Sequence, residues 1–360
     1  MISRLRKLPV YTYVVVVFLL LLSSYSLWQQ SLLKSRLMHH CYDPREVLEV
    51  CYIDYYRDTA KRYGTKEALK VLHERKLTDI RLNTSCHEAM HEIGRAAFYE
   101  YGSIAGAYAE ADYACWGGYL HGVIEAALSR KKLSDISAES LRTMCDAAKK
   151  NGETSFGHFS CVHGIGHALM FVSKNDLPQS LFRCDDLANK WESDNCANGA
   201  FMQNLFSKYN EHRSAYLPKD DLHFPCSIAR EKDQTECYRV QGRFILDALD
   251  WDFSKSFAFC NTLNRAEPRA ACASGLGAAV SNHSAYAPKK LSELCAKAAS
   301  LEQDCLYGAL IDLEGIAGDQ SIGEKVCESK PDSEKPACIE ILKRAHADFP
   351  GSIKEQSVGG

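Results

Sequence analysis

No two of the sixteen cysteines in this 360-residue chain form a C-x-x-C pair. Zinc ribbons and thioredoxin-like dithiols both require that spacing, so both are excluded. Charge of one sign is lacking as well. The 43 Lys and Arg against 46 Asp and Glu leave a net charge of −3, with no basic face to hold a nucleic acid. Also missing are the phosphate-cradling G-x-x-x-x-G-K-[ST] loop, a dinucleotide G-x-G-x-x-G after a strand, and the G-x-S-x-G nucleophile elbow. The period-two alternation of β-strands does not recur. A hydrophobic share of 46% and a charged share of 25% exclude wholesale disorder and collagen-like structure. A helical, core-forming protein remains, either one elongated array or two to three domains.

The first long apolar run lies at the N-terminus. Arg4, Arg6 and Lys7 precede an uncharged stretch from Leu8 to Trp28, and the next charge is Lys34. About 20 apolar helical residues cross a bilayer, and basic residues on the short side favour keeping that end cytoplasmic. The expected order is therefore a cytoplasmic N-terminus (1–7), a transmembrane signal-anchor (8–28) and an extracytoplasmic bulk. Cleavage after the small residues Ser23, Ser24 and Ser26 is the alternative, giving a secreted chain. Both place residues 35–360 on the same side of the membrane.

The cysteines support that compartment. From Cys145 onward they form six local pairs: Cys145 with Cys161, Cys184 with Cys196, Cys226 with Cys237, Cys260 with Cys272, Cys295 with Cys305, and Cys327 with Cys338. Separations within pairs are 10 to 16 residues, and the second members recur every 33 to 41. That is the period of a two-helix repeat. First cysteines end apolar helical patterns, as in KSFAFCNTL; second cysteines open new ones, as in EQDCLYGALIDL. Each bridge would tie a helix to its antiparallel partner across the turn, worth about 3 kcal/mol in the chain-entropy model. Upstream, Cys41 with Cys51 matches the local spacing and would leave Cys86 for Cys115, but spacing alone leaves the connectivity of these four open. Five second cysteines begin C-x-x-G, with Gly118, Gly164, Gly199, Gly275 and Gly308. Glycine lowers helix propensity there, so close helix packing is the expected compensation. Two sequons, at Asn83 and Asn282, are compatible with secretion.

The fold expected is an all-α array of about eight helical hairpins, an α-solenoid stapled by disulfides, in which each unit packs on its neighbours. Its parts are a juxtamembrane stretch with a first hairpin (29–85), histidine-rich repeats (86–170), further stapled repeats (171–345) and a tail (346–360). Corresponding helices stand about 8–10 Å apart. A residue type recurring at one position of each repeat therefore forms a row.

The histidines do recur. His91, His121 and His167 stand five, six and six residues after Cys86, Cys115 and Cys161. His87 with His91, His121 with Glu125, and His163 with His167 are i, i+4 pairs, each projecting from one helix face. Imidazole and carboxylate in such pairs on facing helices suit a divalent transition metal: zinc, iron or copper. First-turn positions disfavour protonation and keep the imidazoles available as ligands. Six candidates exceed the four ligands of one tetrahedral zinc; either some orient others, or two metals bind. His158, Tyr113 and Tyr119 lie near enough in sequence to join them, whereas His39, His40, His212, His223, His283 and His346 read as ordinary surface residues.

The segment HEAMH, His87 to His91, resembles the H-E-x-x-H motif of the zincin metallopeptidases. The resemblance implies zinc on His87 and His91, with Glu88 acting as base on a metal-bound water. Extended through HEAMHEIGRAA it is similar to the metzincin pattern, but Ala97 stands where that pattern has its third histidine. The likeness covers about eleven residues, and a zincin also needs a strand-containing domain; His121, His163 or His167 would supply the third ligand. Two functional classes follow. One is a metal-dependent enzyme, a zinc hydrolase or an iron or copper oxidoreductase. The other is a non-enzymatic scaffold that binds a protein or peptide on its solenoid surface, with at most a structural metal.

Overall fold

The structure is a computed structural model, described over residues 14–25, 48–76, 79, 82–149, 156–207, 212–218, 221–317 and 320–348. Among the described residues all regular structure is helical. The elements are α1 (14–25), then α2 (Leu48–Tyr63), α3 (Thr65–Lys76), α4 (Leu82–Tyr101), α5 (Ile104–Ala109), α6 (Ala114–Leu128), α7 (Ala138–Met144), α8 (Phe156–Val172) and α9 (Leu177–Cys184). They continue with α10 (Lys190–Phe206), α11 (Gln234–Val240), α12 (Gly242–Ala248), α13 (Phe253–Asn261), α14 (Ala266–His283), α15 (Pro288–Ala296), α16 (Glu302–Ala317), α17 (Gln320–Glu328) and α18 (Lys335–Asp348).

A repeated local code builds the hairpins. Short helices start on side-chain caps: Ser137 accepts from the Ser140 amide, Asp176 from Gln179 and Asp252 from Lys255. Such caps satisfy amides that a helix start otherwise leaves unpaired. In each case the first cysteine of a pair follows eight residues later, as Cys145, Cys184 and Cys260. Helices α8, α12 and α14 are left through two successive left-handed residues: Lys174 and Asn175, Asp250 and Trp251, Ala285 and Tyr286. In all three turns the second residue's amide bonds back to a carbonyl five residues earlier, at Met170, Leu246 and Ser281. This closes the helix end as a Schellman turn does.

Seven disulfides join the expected partners: Cys86–Cys115, Cys145–Cys161, Cys184–Cys196, Cys226–Cys237, Cys260–Cys272, Cys295–Cys305 and Cys327–Cys338. Cys51 is also disulfide-bonded, while Cys41 lies outside the described residues.

Helix α4, which carries Cys86, and the helices that carry the second cysteines pack side by side in chain order, α4 on α6, α6 on α8, α8 on α10, α10 on α11, α11 on α14, α14 on α16 and α16 on α18. Glycines set how closely. A Cβ at Gly199 would lie 2.0 Å from the His163 carbonyl oxygen, and one at Gly308 would lie 1.9 Å from that of Ser274. Any larger residue would therefore push the helices apart, which is the compensation for weak propensity that C-x-x-G implies.

Two expectations are met only in part. In an open solenoid each unit touches only its neighbours, but α16 also packs on α6, and Trp116 Nε1 donates to Asp312 Oδ1 at 3.1 Å across 196 residues. Helices distant in sequence are thereby in contact. Of the expected span 8–28, residues 14–25 are described, as helix α1 with exposed Val14, Phe18 and Leu21. Among the described residues no helix is long and apolar enough to cross a membrane; the remainder of the span, with His39 and His40, lies outside them. The Asn282 sequon is engaged: its side chain donates to Asp312 Oδ2 at 3.1 Å and accepts from Tyr286. The Asn83 side chain falls outside the described residues.

Candidate metal centre

Helices α4, α6 and α8 bring the histidines together through the close packing just described. Positions Gly118 and Gly122 of α6 face the carbonyls of His87 and His91, with built Cβ distances of 2.5 and 2.0 Å, and Gly164 of α8 faces the backbone of His121. Side chains that would stand apart on ordinarily spaced helices thereby converge. His87, His91, His121 and His167 each offer a ring nitrogen within 4.8 Å of the others, a group that could hold a metal ion. His91, His121 and His167 are 1%, 1% and 0% exposed, and His87 is half-buried.

The partners of the outward-facing nitrogens fix the tautomers. His87 Nδ1 donates to the Cys115 carbonyl oxygen at 2.8 Å, and His91 Nδ1 donates to Glu125 Oε1 at 2.8 Å. A carbonyl and a carboxylate only accept, so each Nδ1 carries its ring's proton. Both Nε2 atoms are then bare lone pairs, 3.0 Å apart. His167 repeats the arrangement, with Nδ1 on Gln203 Oε1 at 2.9 Å and Nε2 3.0 Å from His163 Nε2. His121 Nδ1 stands 3.3 Å from His91 Nε2, and its own Nε2 is buried without a hydrogen-bond partner.

Lone pairs in such contact would be accommodated by a cation between them, and the four rings could hold a metal ion. Burial first, then the neighbouring His91, pushes His87 down to about 3, outweighing the Cys115 and Glu125 contributions that raise it. Burial likewise takes His167 to about 3 and holds His91, His121 and His163 well below the usual imidazole range. Two imidazole nitrogens bound to one tetrahedral ion at 2.0–2.1 Å would be about 3.3 Å apart, close to the spacing seen.

The structure distributes the six expected ligands unequally. Four converge as a ligand group; His163 adjoins them through His167 and through ring contact with His121 at 4.8 Å. Glu125 stands behind His91 instead of among the four. Its Oε2 accepts from Arg95 Nε at 2.7 Å, and Arg95 also pairs with Glu92. An acceptor behind the Nδ1 of a ligating histidine fixes ring orientation and raises basicity. Glu88 has a buried Oε1 without a hydrogen-bond partner, and burial together with Glu125 raises its carboxyl to about 8 against the opposing pull of Arg95. The strand-containing domain of a zincin is absent among the described residues.

Arg95, Gln203 and the Cys115 carbonyl were not singled out from the sequence. Arg95 is the one polar residue of GRAAF, and Gln203 stands beside Asn204 in the otherwise apolar AFMQNLF; polar residues in apolar helical stretches are the signal that could have found them. The Cys115 carbonyl left no mark in the side-chain pattern. Cys115, Trp116 and Gly117 carry φ of 55°, 61° and 65°, and left-handed non-glycine residues cost about 1–3 kcal/mol each. Of the nearby candidates, His158 lies 3.1 Å from Glu192 Oε1 and packs on Trp191, and Tyr119 donates to the Ala107 carbonyl. His223, read as a surface residue, is held by Tyr238 and Phe259.

Together, fold and site define a disulfide-stapled, all-helical protein with a buried histidine cluster able to hold a metal ion. Compared with known protein families, curated proteins and solved structures, the chain matches none.

Proposed function

We propose that this chain is a metal-dependent protein of an oxidising, extracytoplasmic compartment, tethered to a membrane by residues 8–28. Its helical-hairpin solenoid would hold a divalent zinc, iron or copper ion on His87, His91, His121 and His167 for hydrolytic or oxidative chemistry. The observation that carries this reading is the pair of bare Nε2 atoms of His87 and His91, 3.0 Å apart in a site that repels protons. Seven disulfides support the compartment, since such bridges persist where thiols are not kept reduced. With every described cysteine bridged, thiolate is unavailable, and an all-imidazole set suits zinc, copper or iron.

In this reading Glu125 and Gln203 orient His91 and His167, and His163 is a fifth nitrogen at the edge of the coordination sphere. If the ion is zinc, Glu88 would serve as base for a bound water only once its carboxyl, raised to about 8, is ionised; copper or iron would add redox chemistry. The depth of His91, His121 and His167 also supports a second reading, a closed structural metal in a scaffold whose outer surface binds a protein or peptide.

The test is elemental analysis of the extracytoplasmic part, wild type against the His91, His121 and His167 triple alanine variant. Metal in the wild type and none in the variant is expected; no metal in the wild type, or equal metal in both, overturns the reading. Azide added to the copper-loaded protein separates the two classes. A shifted copper spectrum marks an open catalytic position, and an unchanged one marks a closed structural site.

A further inference from the structure

The contact that closes the row bears on the metal centre. Asp312 of α16 is buried, and its Oδ1 accepts from the Trp116 indole at 3.1 Å. Its Oδ2 is held by Ser281 Oγ and by Asn282 Nδ2 of α14, so the carboxyl group is anchored from two helices. Trp116 in turn follows Cys115, whose carbonyl oxygen accepts from His87 Nδ1. That carbonyl shares a rigid peptide plane with the Trp116 amide, so the two turn together.

The plane sits in a left-handed stretch, Cys115 to Gly117, which non-glycine residues occupy only where their surroundings over-determine it. Here three features do so: the Cys86–Cys115 disulfide, Phe156 packed 6.1 Å from the indole, and the Asp312 bond. Only the last comes from the far end of the chain. A carbonyl behind the Nδ1 of a ligand sets its tautomer and aim.

We propose that Asp312 is a positioning residue of the metal centre: by holding Trp116 it fixes the peptide plane whose carbonyl orients His87. This rests on the metal reading above. It gives the C-terminal repeats, which carry no histidine in register, a part in the site: the row must close for His87 to be aimed.

The experiment uses the full chain loaded with Cu(II), with affinity read by chelator competition and the nitrogen ligand set by electron paramagnetic resonance. Asp312→Ala is expected to lower affinity about 10–100-fold and to change the nitrogen pattern. Asp312→Asn, which keeps an oxygen acceptor for the indole, should restore most of that loss. In a His87→Ala background Asp312→Ala should have no further effect, because both act through one ligand. Trp116→Phe, which deletes the indole donor but keeps a ring, should reproduce Asp312→Ala and serves if the latter does not fold. Gln241→Ala, which breaks buried bonds to the Leu222 and Phe224 carbonyls in a repeat without ligands, should leave affinity unchanged. Wild-type affinity and spectrum in both Asp312→Ala and Trp116→Phe overturn the proposal alone. So does an equal loss in the His87→Ala background, or in Gln241→Ala. A wild-type chain that binds no Cu(II) overturns the metal reading with it.

Discussion

Helices α4, α6 and α8 and helices α14 and α16 are built on one plan with different contents. Both sets follow a cysteine bridge and approach through glycine, with Gly122 against the His91 carbonyl in the first and Gly308 against the Ser274 carbonyl in the second. Six residues after the second cysteine the first set has His121 and His167; the second has Ala278 and Ile311. The backbone therefore does not require histidine. Burying imidazoles with unpaired nitrogens costs free energy, which small or apolar residues avoid. The difference teaches that the staple and the glycine contacts specify the fold, while the histidines are carried at a cost to it. A bound ion would offset that cost by stabilising only the folded state.

The comparison can be broken most sharply at the histidines. Replacing His87, His91 and His167 together by alanine should abolish bound metal, measured by elemental analysis. The metal-free variant should melt no lower than the metal-free wild type, because unpaired polar nitrogens leave the core. A metal-free variant that melts far lower would make the histidines structural.

The disulfides come next. Removing Cys86–Cys115 or Cys295–Cys305, both cysteines to serine, should cost about 2–5 kcal/mol each in denaturant unfolding. Only the first should also weaken metal binding, since Cys115 supplies the carbonyl behind His87. Equal metal affinity in the two variants would dissolve the distinction between the regions.

Glycine substitutions should act more mildly. Gly122→Ala and Gly308→Ala place a methyl group 2.0 and 1.9 Å from a carbonyl oxygen, and each should cost about 1–3 kcal/mol. Metal titration should show weaker binding for Gly122→Ala alone, because only there does the displaced backbone carry a ligand.

The smallest effect is one of pH. Asp312 is raised to about 7 by burial, against the opposing hydrogen bonds of Ser281 and Trp116. A carboxyl group raised in the folded state favours folding fully below its unfolded value, about 3.9, and loses that contribution as pH rises through the folded one. Melting temperature relative to Asp312→Asn should therefore fall between about pH 4 and pH 7. A flat difference over that range would mean that Asp312 is ionised throughout.

Much of this was legible in the chain. Local bridges could be paired because a turn of 10 to 16 residues brings its own ends together, whereas Cys86 with Cys115 was left open by the sequence and is decided by the structure. The i, i+4 histidine pairs were legible because helix periodicity is local. The place of Glu125 was not. It lies four residues from His121 on one helix, but its carboxylate turns to His91 and Arg95 of α4, 34 and 30 residues away, where a hydrogen bond and a guanidinium stabilise the charge.

Residue order alone thus determined the helical class, the local disulfide register and the set of histidines that share a helix face. These depend on neighbours within about one repeat, where chain connectivity limits the geometry. Tertiary structure decided which nitrogens point inward, which groups stand behind them and that α16 reaches α6. Those outcomes depend on helix separations set by glycine contacts and on a contact made across 196 residues, and no local spacing records either.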